Sequence, residues 1–274
     1  MGLLQFGLLL NLTCLVKISM INNKKVAIVI PAYNTEKTLE KTLMAIPVGA
    51  ADEIIVVDDG SVDRTAEIAR KNNVNLVQHE KNKGYGAAQK TGYRVALENG
   101  ADIVVMVHSD FQYDPTLVPQ MVQPIADGYA DVCFGSRMHN KGSARAGGMV
   151  WWRFIANKAL TLVEDSVFGL GLTEYHTGYR AYNRRMLKST PFEKNSDNYV
   201  FDTEIFAQIS LGNFQVAEIP IPTRYFEDSQ SPNFRKSVEY GFMTLNVLIK
   251  YILQKFKIKS FPNFIINKQD NEQE

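Results

Sequence analysis

Short apolar runs alternate with amphipathic segments along the first half of the chain. Runs of β-branched residues are typical of strands buried on both faces, and they predict strands at 25–30, 53–57, 74–78, 102–107 and 131–135. Helical spacing of apolar residues predicts helices between them, one after a cap at Thr35 and others at 63–71, 87–98 and 115–126. This alternation predicts an α/β fold with a doubly wound, mostly parallel sheet.

The pattern changes after Arg137. It predicts loops at 139–148 and 171–180, a strand at 214–219, and helices at 151–167, 200–211 and 238–258. We therefore divide the chain into an N-terminal apolar segment, the α/β domain, and a C-terminal helix with a polar tail, at 1–22, 23–226 and 227–274.

The N-terminal segment does not match a secretory signal, because its first basic residue, Lys17, follows the apolar stretch instead of preceding it. It is also too short and too polar for a spanning helix, which needs about 20 apolar residues. Two interpretations stay open: translation that starts at Met20, and a weak membrane contact.

Composition excludes several classes of protein. Hydrophobic residues make up 45% and charged residues 22% of the chain, which is typical of a globular protein. The 30 basic and 29 acidic residues give a net charge of +1, and this balance predicts no nucleic-acid partner. Cys14 and Cys133 have no paired spacing, so we expect neither a disulfide framework nor a thiolate zinc site, and a reducing, cytoplasmic setting is the default.

Polar clusters follow the predicted strands, where ligands bind in sheets of this type. Asp58 and Asp59 end the second strand and precede Gly60-Ser61. Their carboxylates are suited to accept hydrogen bonds from a base or ribose, or to help hold a cation. The alternative is a turn in which Asp and Gly are common for conformational reasons.

His108, Asp110 and Gln112 alternate just past the fourth strand. In an extended stretch such residues share one face, and together they suit a divalent cation that bridges two phosphates. Ordinary strand-end polarity is the alternative.

Gly84-Tyr85-Gly86 looks like part of a dinucleotide fingerprint. However, Gln89 occupies the position of the third glycine, and the motif follows the third strand instead of the first. We therefore expect a tight turn with close backbone packing, and an NAD-dependent oxidoreductase is disfavoured.

Taken together, these segments resemble the family 2 glycosyltransferases of the GT-A fold, a Rossmann-like, mostly parallel sheet flanked by helices. The matching segments are 26–34, 54–65, 82–92, 108–115, 135–137 and 173–182. Their motifs are similar to those of polyprenol- or dolichol-phosphate mannosyl- and glucosyltransferases and of related bacterial cell-surface sugar transferases. The resemblance extends over about residues 25 to 226.

The resemblance implies a role for each matching position. It implies an inverting transfer from a nucleotide-diphospho-sugar (GDP-mannose or a UDP-sugar) to a polyprenyl phosphate or a cell-surface glycan, with Mn²⁺ or Mg²⁺. Asp110 and Glu174 are its candidate catalytic residues, and its metal ligands are His108, Asp110 and Gln112. The residues implied in nucleotide-sugar binding are Pro31, Ala32, Tyr33, Asp58, Asp59, Ser109, Arg137 and Arg224.

Two departures from the family pattern matter. His108 replaces the first Asp of the Asp-x-Asp metal motif, and because imidazole suits manganese better than magnesium, we expect a manganese preference or a weaker dependence on metal. The Gly-x-Ser-Lys signature of lipid-phosphate enzymes is absent, and 229–236 stands in its place. The identity of the acceptor therefore stays open at this point. The missing first Asp motivates a second hypothesis, a nucleotide-sugar binding protein that has lost catalysis.

Glu174 is the candidate general base for a hydroxyl acceptor, whereas a lipid phosphate needs little help because it is already charged. Replacing Glu174 should then be severe for a hydroxyl acceptor and mild for a phosphate. The alternative is a carboxylate paired with Arg180.

Two apolar segments have open roles. Trp151, Trp152 and Phe154 fit core packing best, with an acceptor wall or a bilayer contact as alternatives. Helix 238–258 suits docking on a membrane surface or a lid over the domain. Any membrane association is expected to be peripheral, at the inner face of the plasma membrane.

Overall fold

The computed structural model describes residues 21–140, 148–222 and 234–267, and for 234–237 it describes the backbone alone. The described residues form one seven-stranded sheet in the order β3-β2-β1-β4-β6-β5-β7. All neighbouring strands pair in parallel except β6, which is antiparallel to β4 and to β5. The strands are β1 Val26–Ala32, β2 Glu53–Asp58, β3 Asn75–Gln78, β4 Ile103–Met106, β5 Val132–Ser136, β6 Arg180–Asn183 and β7 Val216–Pro220.

Helices cover both faces of the sheet, as the alternating pattern predicts. Side chains of β1 alternate between two apolar cores: Val29 contributes to the core shared with α3, α7 and α8, and Ile28 to the core shared with α1 and α4. The helices are α1 Leu39–Met44, α2 Thr65–Lys71, α3 Tyr85–Glu98, α4 Val118–Ala126, α5 Trp151–Phe168, α6 Arg184–Ser189, α7 Phe201–Gly212 and α8 Phe234–Lys255. The predicted α/β sheet is therefore confirmed.

Strand β6 is absent from our sequence prediction, which assigned 171–180 to a loop. Its four residues begin with Arg180, so it lacks the apolar run that marks the other strands. Arg180 pairs in register with Met106 of β4 and with Phe134 of β5. Because β6 runs against its neighbours, its first residue lies where the parallel strands end. The segment just before β6, residues 173–178, therefore lies at the edge of the sheet where the parallel strands end.

Pro31 does not end the first strand, contrary to our prediction. Val29 O accepts a hydrogen bond from Val107 N on the β4 side. Pro31 is two residues further along β1, so its backbone nitrogen faces the same side. The ladder to β4 has ended at that point, so the missing N–H of Pro31 leaves no strand partner unpaired. The helix expected after Thr35 is also shorter than predicted, because Thr35 lies in a turn and α1 begins at Leu39.

The C-terminal helix packs onto the α/β domain. Val247, Leu248 and Tyr251 of α8, together with Phe264 beyond it, belong to the same core as the sheet. Within the described ranges, no helix combines the length and the apolar character needed to cross a bilayer. The apolar segment 1–20, most of the loop at 139–148, and Arg224 lie outside the described residues.

The Gly84-Tyr85-Gly86 motif serves close packing. Asp197 O accepts from Gly86 N at 2.8 Å and from Ala87 N at 3.2 Å, and a Cβ on Gly86 would overlap Ser196 O. Gly84 has φ 108, a conformation that glycine adopts without strain. The amides that a phosphate would need at the start of α3 are thus already bonded to protein, and the expected tight turn is confirmed.

Gly86→Ala should lower the free energy of unfolding by about 1–3 kcal/mol, because the added methyl group must displace segment 196–198. Gly241→Ala is the matched control: Gly241 lies in α8, and a Cβ added there would have no atom within 4 Å, so alanine should stabilise by up to about 1 kcal/mol. Denaturant unfolding measures both. A Gly86→Ala protein as stable as the wild type would contradict this packing.

Candidate active site

Polar side chains converge where the parallel strands end. Asp58 closes β2, His108 and Asp110 follow β4, and Arg137 follows β5. Glu174 reaches the same edge from the segment before β6. This edge holds all the predicted site residues that the structure describes, and it is the candidate active site.

Asp58 and Asp59 hold the surrounding turns. Asp58 Oδ1 accepts from Ser61 N at 3.0 Å and Oδ2 accepts from Gln78 Nε2 at 3.1 Å. Asp59 accepts from Lys83 N and from Gly84 N, each at 2.9 Å. The turn-forming alternative therefore describes both residues, although a carboxylate keeps lone pairs for further donors.

His79 is a site-supporting residue that sequence reasoning missed. Its Nδ1–H donates to Asp59 Oδ1 at 2.6 Å, which leaves Nε2 to accept from Thr91 Oγ1 at 3.0 Å. His79 and Asp59 are both buried. The arrangement fixes Asp59, which in turn fixes the turn before Tyr85. A lone histidine carries no spacing signal, so no sequence pattern selects it.

Pro31 and Ser109 connect β1 to the segment after β4. Ser109 Oγ donates to Pro31 O at 2.9 Å, and Ser109 O accepts from Thr42 Oγ1 at 3.2 Å. Ser109 and Ala32 are buried, whereas Tyr33 is 40% exposed. Of these residues, the ring of Tyr33 is the surface best placed to meet a ligand.

The metal-motif segment is not extended, which corrects the premise of our prediction. A turn follows His108, and Phe111 adopts φ 60. Asp110 Oδ1 accepts from Gln112 N at 3.0 Å, and within the described residues Oδ2 takes no hydrogen bond. No group of three or more His, Cys, Asp or Glu side chains suited to a metal occurs in the described part of the chain.

His108 is held between aromatic rings. Its Nε2 lies 2.9 Å from Tyr85 Oη, its ring meets those of Tyr85 and Tyr113 edge-on, and it packs against Gly178, where a Cβ would overlap it. Burial lowers the pKa of the imidazole, although the Asp110 carboxylate acts in the opposite direction. The neutral form is thus favoured.

Tyr85 places its hydroxyl between His108 Nε2 and the Asp202 carboxylate, so the direction of its hydrogen bond is linked to the tautomer of a neutral imidazole. Its hydroxyl has one proton, and the Asp202 carboxylate, at 3.4 Å, is an acceptor only. When Tyr85 donates to Asp202, it accepts from Nε2–H of His108. The Nδ1 lone pair is then the one available to a cation.

Arg180 pairs with Asp202 and not with Glu174, which corrects our alternative. The guanidinium is buried, its Nη1 lies 3.1 Å from Asp202 Oδ1, and its Nε donates to Thr177 O at 2.8 Å. Gln89 Nε2 also donates to Asp202 Oδ1, at 3.1 Å. Sequence reasoning missed Asp202, whose one signal is an acidic residue in the first turn of a helix.

Arg137 and Glu174 form a buried ion pair. Arg137 N donates to Glu174 Oε2 at 2.7 Å and Arg137 Nε donates to Oε1 at 2.9 Å. Glu174 is 0% exposed. Both carboxylate oxygens are therefore engaged by one residue, and the contacts give Glu174 the role of positioning Arg137.

His176 connects this pair to two helices. Its carbonyl oxygen accepts from Arg137 Nη2 at 2.7 Å. Its Nε2 lies 3.0 Å from Glu164 Oε2 on α5, and its Nδ1 lies 3.4 Å from Tyr240 Oη on α8. Sequence reasoning missed all of these contacts, because they join segments far apart in the chain.

Glu174→Gln should lower the free energy of unfolding by about 3 kcal/mol, because it leaves the buried Arg137 guanidinium without a counter-charge. Glu36→Gln is the matched control: its pair with Arg64 is 3.4 Å long and solvent-exposed, so we expect a change of at most about 1 kcal/mol. Equal losses in the two variants, measured by denaturant unfolding, would contradict the role assigned to Glu174.

Comparison with known proteins confirms the resemblance. The family model described as "Glycosyl transferase family 2" matches residues 27–190. The uncharacterized protein MJ1222 of Methanocaldococcus jannaschii is 33% identical over 240 residues, which cover 87% of this chain and 96% of that protein. The UDP-N-acetylglucosamine--dolichyl-phosphate N-acetylglucosaminyltransferase of Methanococcus voltae is 29% identical over 226 residues, 76% of this chain and 89% of that one.

A solved structure shows the same fold. Glucosyl-3-phosphoglycerate synthase from Mycobacterium tuberculosis, in complex with Mn²⁺, UDP and glucosyl-3-phosphoglycerate, superposes with a TM-score of 0.61 at 23% identity, and the match covers 89% of this chain and 85% of that chain. The expected GT-A architecture is thereby confirmed. With a matching family model over more than half its length, this chain belongs to glycosyl transferase family 2 and is a glycosyltransferase.

Proposed function

We propose that this glycosyltransferase moves a sugar from a UDP- or GDP-linked donor to a polyprenyl phosphate, with inversion at the anomeric carbon. The observation that carries the proposal is the buried Arg137, held by Glu174 at the edge where Asp110 and His108 also lie. The name of the Methanococcus voltae relative, a UDP-sugar to dolichyl-phosphate transferase, supports both substrate classes.

The donor diphosphate is proposed to lie between Arg137 and a divalent cation. Arg137 brings a buried positive charge to this edge while its Nε and Nη2 stay bonded to Glu174 and to His176 O, so it attracts phosphate oxygens by its charge. Asp110, His108 and the Gln112 amide are the residues that would hold a cation, and diphosphate oxygens would complete its shell, since one carboxylate and one imidazole make a weak site alone. When bound, such a cation neutralises charge on the leaving diphosphate. The Mn²⁺ and UDP in the structural neighbour support this arrangement.

The nucleoside is proposed to occupy the end of β1. In this proposal Pro31, Ala32 and Tyr33 form the pocket for the nucleobase, and the exposed ring of Tyr33 contacts it. Asp58 reads the base or ribose with lone pairs that Ser61 and Gln78 do not use. The same expectation for Arg224, a second diphosphate contact, concerns a residue outside the described ranges.

The state of Glu174 favours a phosphate acceptor over a glycan hydroxyl. A hydroxyl acceptor needs a general base within reach of its proton, and Arg137 engages both oxygens of Glu174. A phosphate monoester already carries about −1.5 to −2 charge, so it attacks without a base. Attack from the face opposite the leaving diphosphate inverts the anomeric carbon.

Donor binding tests the proposed function. We expect UDP-N-acetylglucosamine, UDP-glucose or GDP-mannose to bind with Mn²⁺ and less well with chelator, and a polyprenyl phosphate to be glycosylated by the donor that binds. Asp110→Asn should weaken the Mn²⁺-dependent binding by about tenfold or more, because it removes the carboxylate ligand. Asp127→Asn, at a solvent-exposed hydrogen-bonding aspartate after α4, is the control.

Two results would contradict the proposal. If the affinity for the donor is the same with and without chelator, and no lipid phosphate is glycosylated, the hypothesis of a non-catalytic binding protein would be favoured. Transfer to a glycan hydroxyl but not to a lipid phosphate would contradict the proposed acceptor.

We also propose that the protein docks on the cytoplasmic face of a membrane through α8. Five exposed apolar residues of this helix and Phe256 directly after it recur at alternating spacings of four and three, which places them in one stripe: Val238, Phe242, Leu245, Ile249, Ile252 and Phe256. The opposite face is buried in the core through Val247, Leu248 and Tyr251. The helix is therefore apolar on both faces, and the outer face lacks a partner within the described residues.

Charge and position favour an anionic bilayer as that partner. The exposed Lys255, Lys257 and Lys259 follow the stripe and complement anionic headgroups. Tyr240 on the same helix contacts His176, whose carbonyl oxygen binds Arg137. A lipid phosphate would thus enter the site beside the docked helix. Trp151, at the start of α5, is 66% exposed, which corrects its assignment to the core and agrees with the alternative of a bilayer contact.

Replacing Phe242 and Ile249 together by Glu should reduce binding to vesicles that contain phosphatidylglycerol by about tenfold or more, because the stripe then carries charge. Met44→Glu is the control, since Met44 is 78% exposed on α1. Donor binding should be unchanged in both variants. Vesicle binding equal to that of the wild type would contradict docking through α8, and loss of a wild-type dimer in the double variant would show that a second copy covers the stripe.

A further inference from the structure

Tyr199 presents an exposed aromatic ring at the mouth of the site. It is 56% exposed, and its ring stacks on that of Tyr85 with centroids 5.2 Å apart and planes 28° apart. Tyr85 thus covers one face of the Tyr199 ring, and the rest of the ring is exposed to solvent. Tyr85 is the residue whose hydroxyl contacts His108.

The segment that carries Tyr199 is held firmly. Lys90 Nζ donates to Asn195 O at 2.8 Å, and Ser196 N donates to Glu204 Oε2 at 2.6 Å. Val200 N donates to Asn198 Oδ1 at 3.0 Å. The backbone on either side of Tyr199 is therefore held by hydrogen bonds, as is expected of a residue that positions a ligand.

Tyr199 is connected to the proposed metal motif through Tyr85, whose ring stacks on that of Tyr199 and whose hydroxyl oxygen lies 2.9 Å from His108 Nε2. Burial raises the pKa of the Tyr199 phenol, and the negative charge of Asp110 raises it further, which agrees with the ring contacts through Tyr85. A donor whose diphosphate lies between Arg137 and Asp110 extends its sugar beyond the diphosphate. The exposed ring of Tyr199, which stacks on the ring of Tyr85 beside His108, is an aromatic surface on that side of the site.

We propose that Tyr199 forms a wall of the donor-sugar subsite, with its ring against the C–H face of the sugar. The inference rests on the proposed function and deepens it by naming a residue that contacts the hexosyl group. A sugar ring has an apolar face as well as hydroxyl groups, and aromatic rings in ligand pockets cover such faces while nearby polar groups fix orientation. Tyr199 would then affect the sugar and not the nucleoside diphosphate.

The test compares a nucleotide sugar with its nucleoside diphosphate. In the presence of Mn²⁺, calorimetry gives the Kd of UDP-glucose, UDP-N-acetylglucosamine and UDP, or of GDP-mannose and GDP. Tyr199→Ala should weaken binding of the nucleotide sugar by about tenfold and leave the nucleoside diphosphate within about twofold, because the diphosphate contacts are intact. Tyr199→Phe should bind both ligands as the wild type does, since it keeps the ring.

Tyr129→Ala is the matched control, because Tyr129 is 79% exposed in the turn before β5, at the opposite edge of the sheet. Equal weakening of both ligands by Tyr199→Ala would overturn the inference, since it would mean that Tyr199 acts by supporting Tyr85 and His108. Unchanged binding of both ligands would overturn it too. A wild-type protein that binds neither ligand would overturn the proposed function itself, and the inference with it.

Discussion

The buried guanidinium of Arg180 is the constraint on which much of the site depends. A charge in this position needs a partner, because an unpaired buried charge is strongly destabilising. Asp202 supplies it from the start of α7 at 3.1 Å. The same carboxylate contacts Gln89 and Tyr85, so the pairing that β6 imposes also fixes the start of α3 against α7. Tyr85 in turn contacts His108, and a structural ion pair thereby helps to fix the geometry of the proposed metal motif.

A second ion pair organises the other half of the site. Arg137 and Glu174 are brought together because β5 ends where the segment before β6 arrives. His176 extends this contact to Glu164 of α5 and Tyr240 of α8. The helix with the exposed apolar stripe is therefore connected to the proposed diphosphate-binding arginine through a single residue. The surface proposed to dock on a membrane and the site proposed to accept a lipid phosphate then belong to one packed unit.

The sequence predicted the parts of this structure that depend on local pattern. Buried strands were recognisable from apolar runs, and the edge that holds the site followed from the parallel connections. Strand β6 was not recognisable, because Arg180 is stabilised by Asp202 and by the Phe134 and Phe206 rings, contacts that no local pattern records. The resemblance selected Glu174 as a candidate. Its burial against Arg137 was not predictable, because the two residues are 37 positions apart in the chain. The bonds from Asp59 to the backbone amides of Lys83 and Gly84 likewise span 24 and 25 residues, and the local pattern around Asp59 does not record them.

The replacement of an Asp by His108 has a consequence for how the proposed donor and cation bind. A site with one carboxylate attracts a divalent cation less strongly than a site with two, because each carboxylate contributes a negative charge at short range. The diphosphate carries the missing negative charge, so the cation and the donor stabilise each other in the site. Burial lowers the pKa of the His108 imidazole, which favours the form without positive charge, and Tyr85 and Gly178 hold its ring in place. In this arrangement the protein supplies orientation, while the donor itself supplies most of the charge that holds the cation.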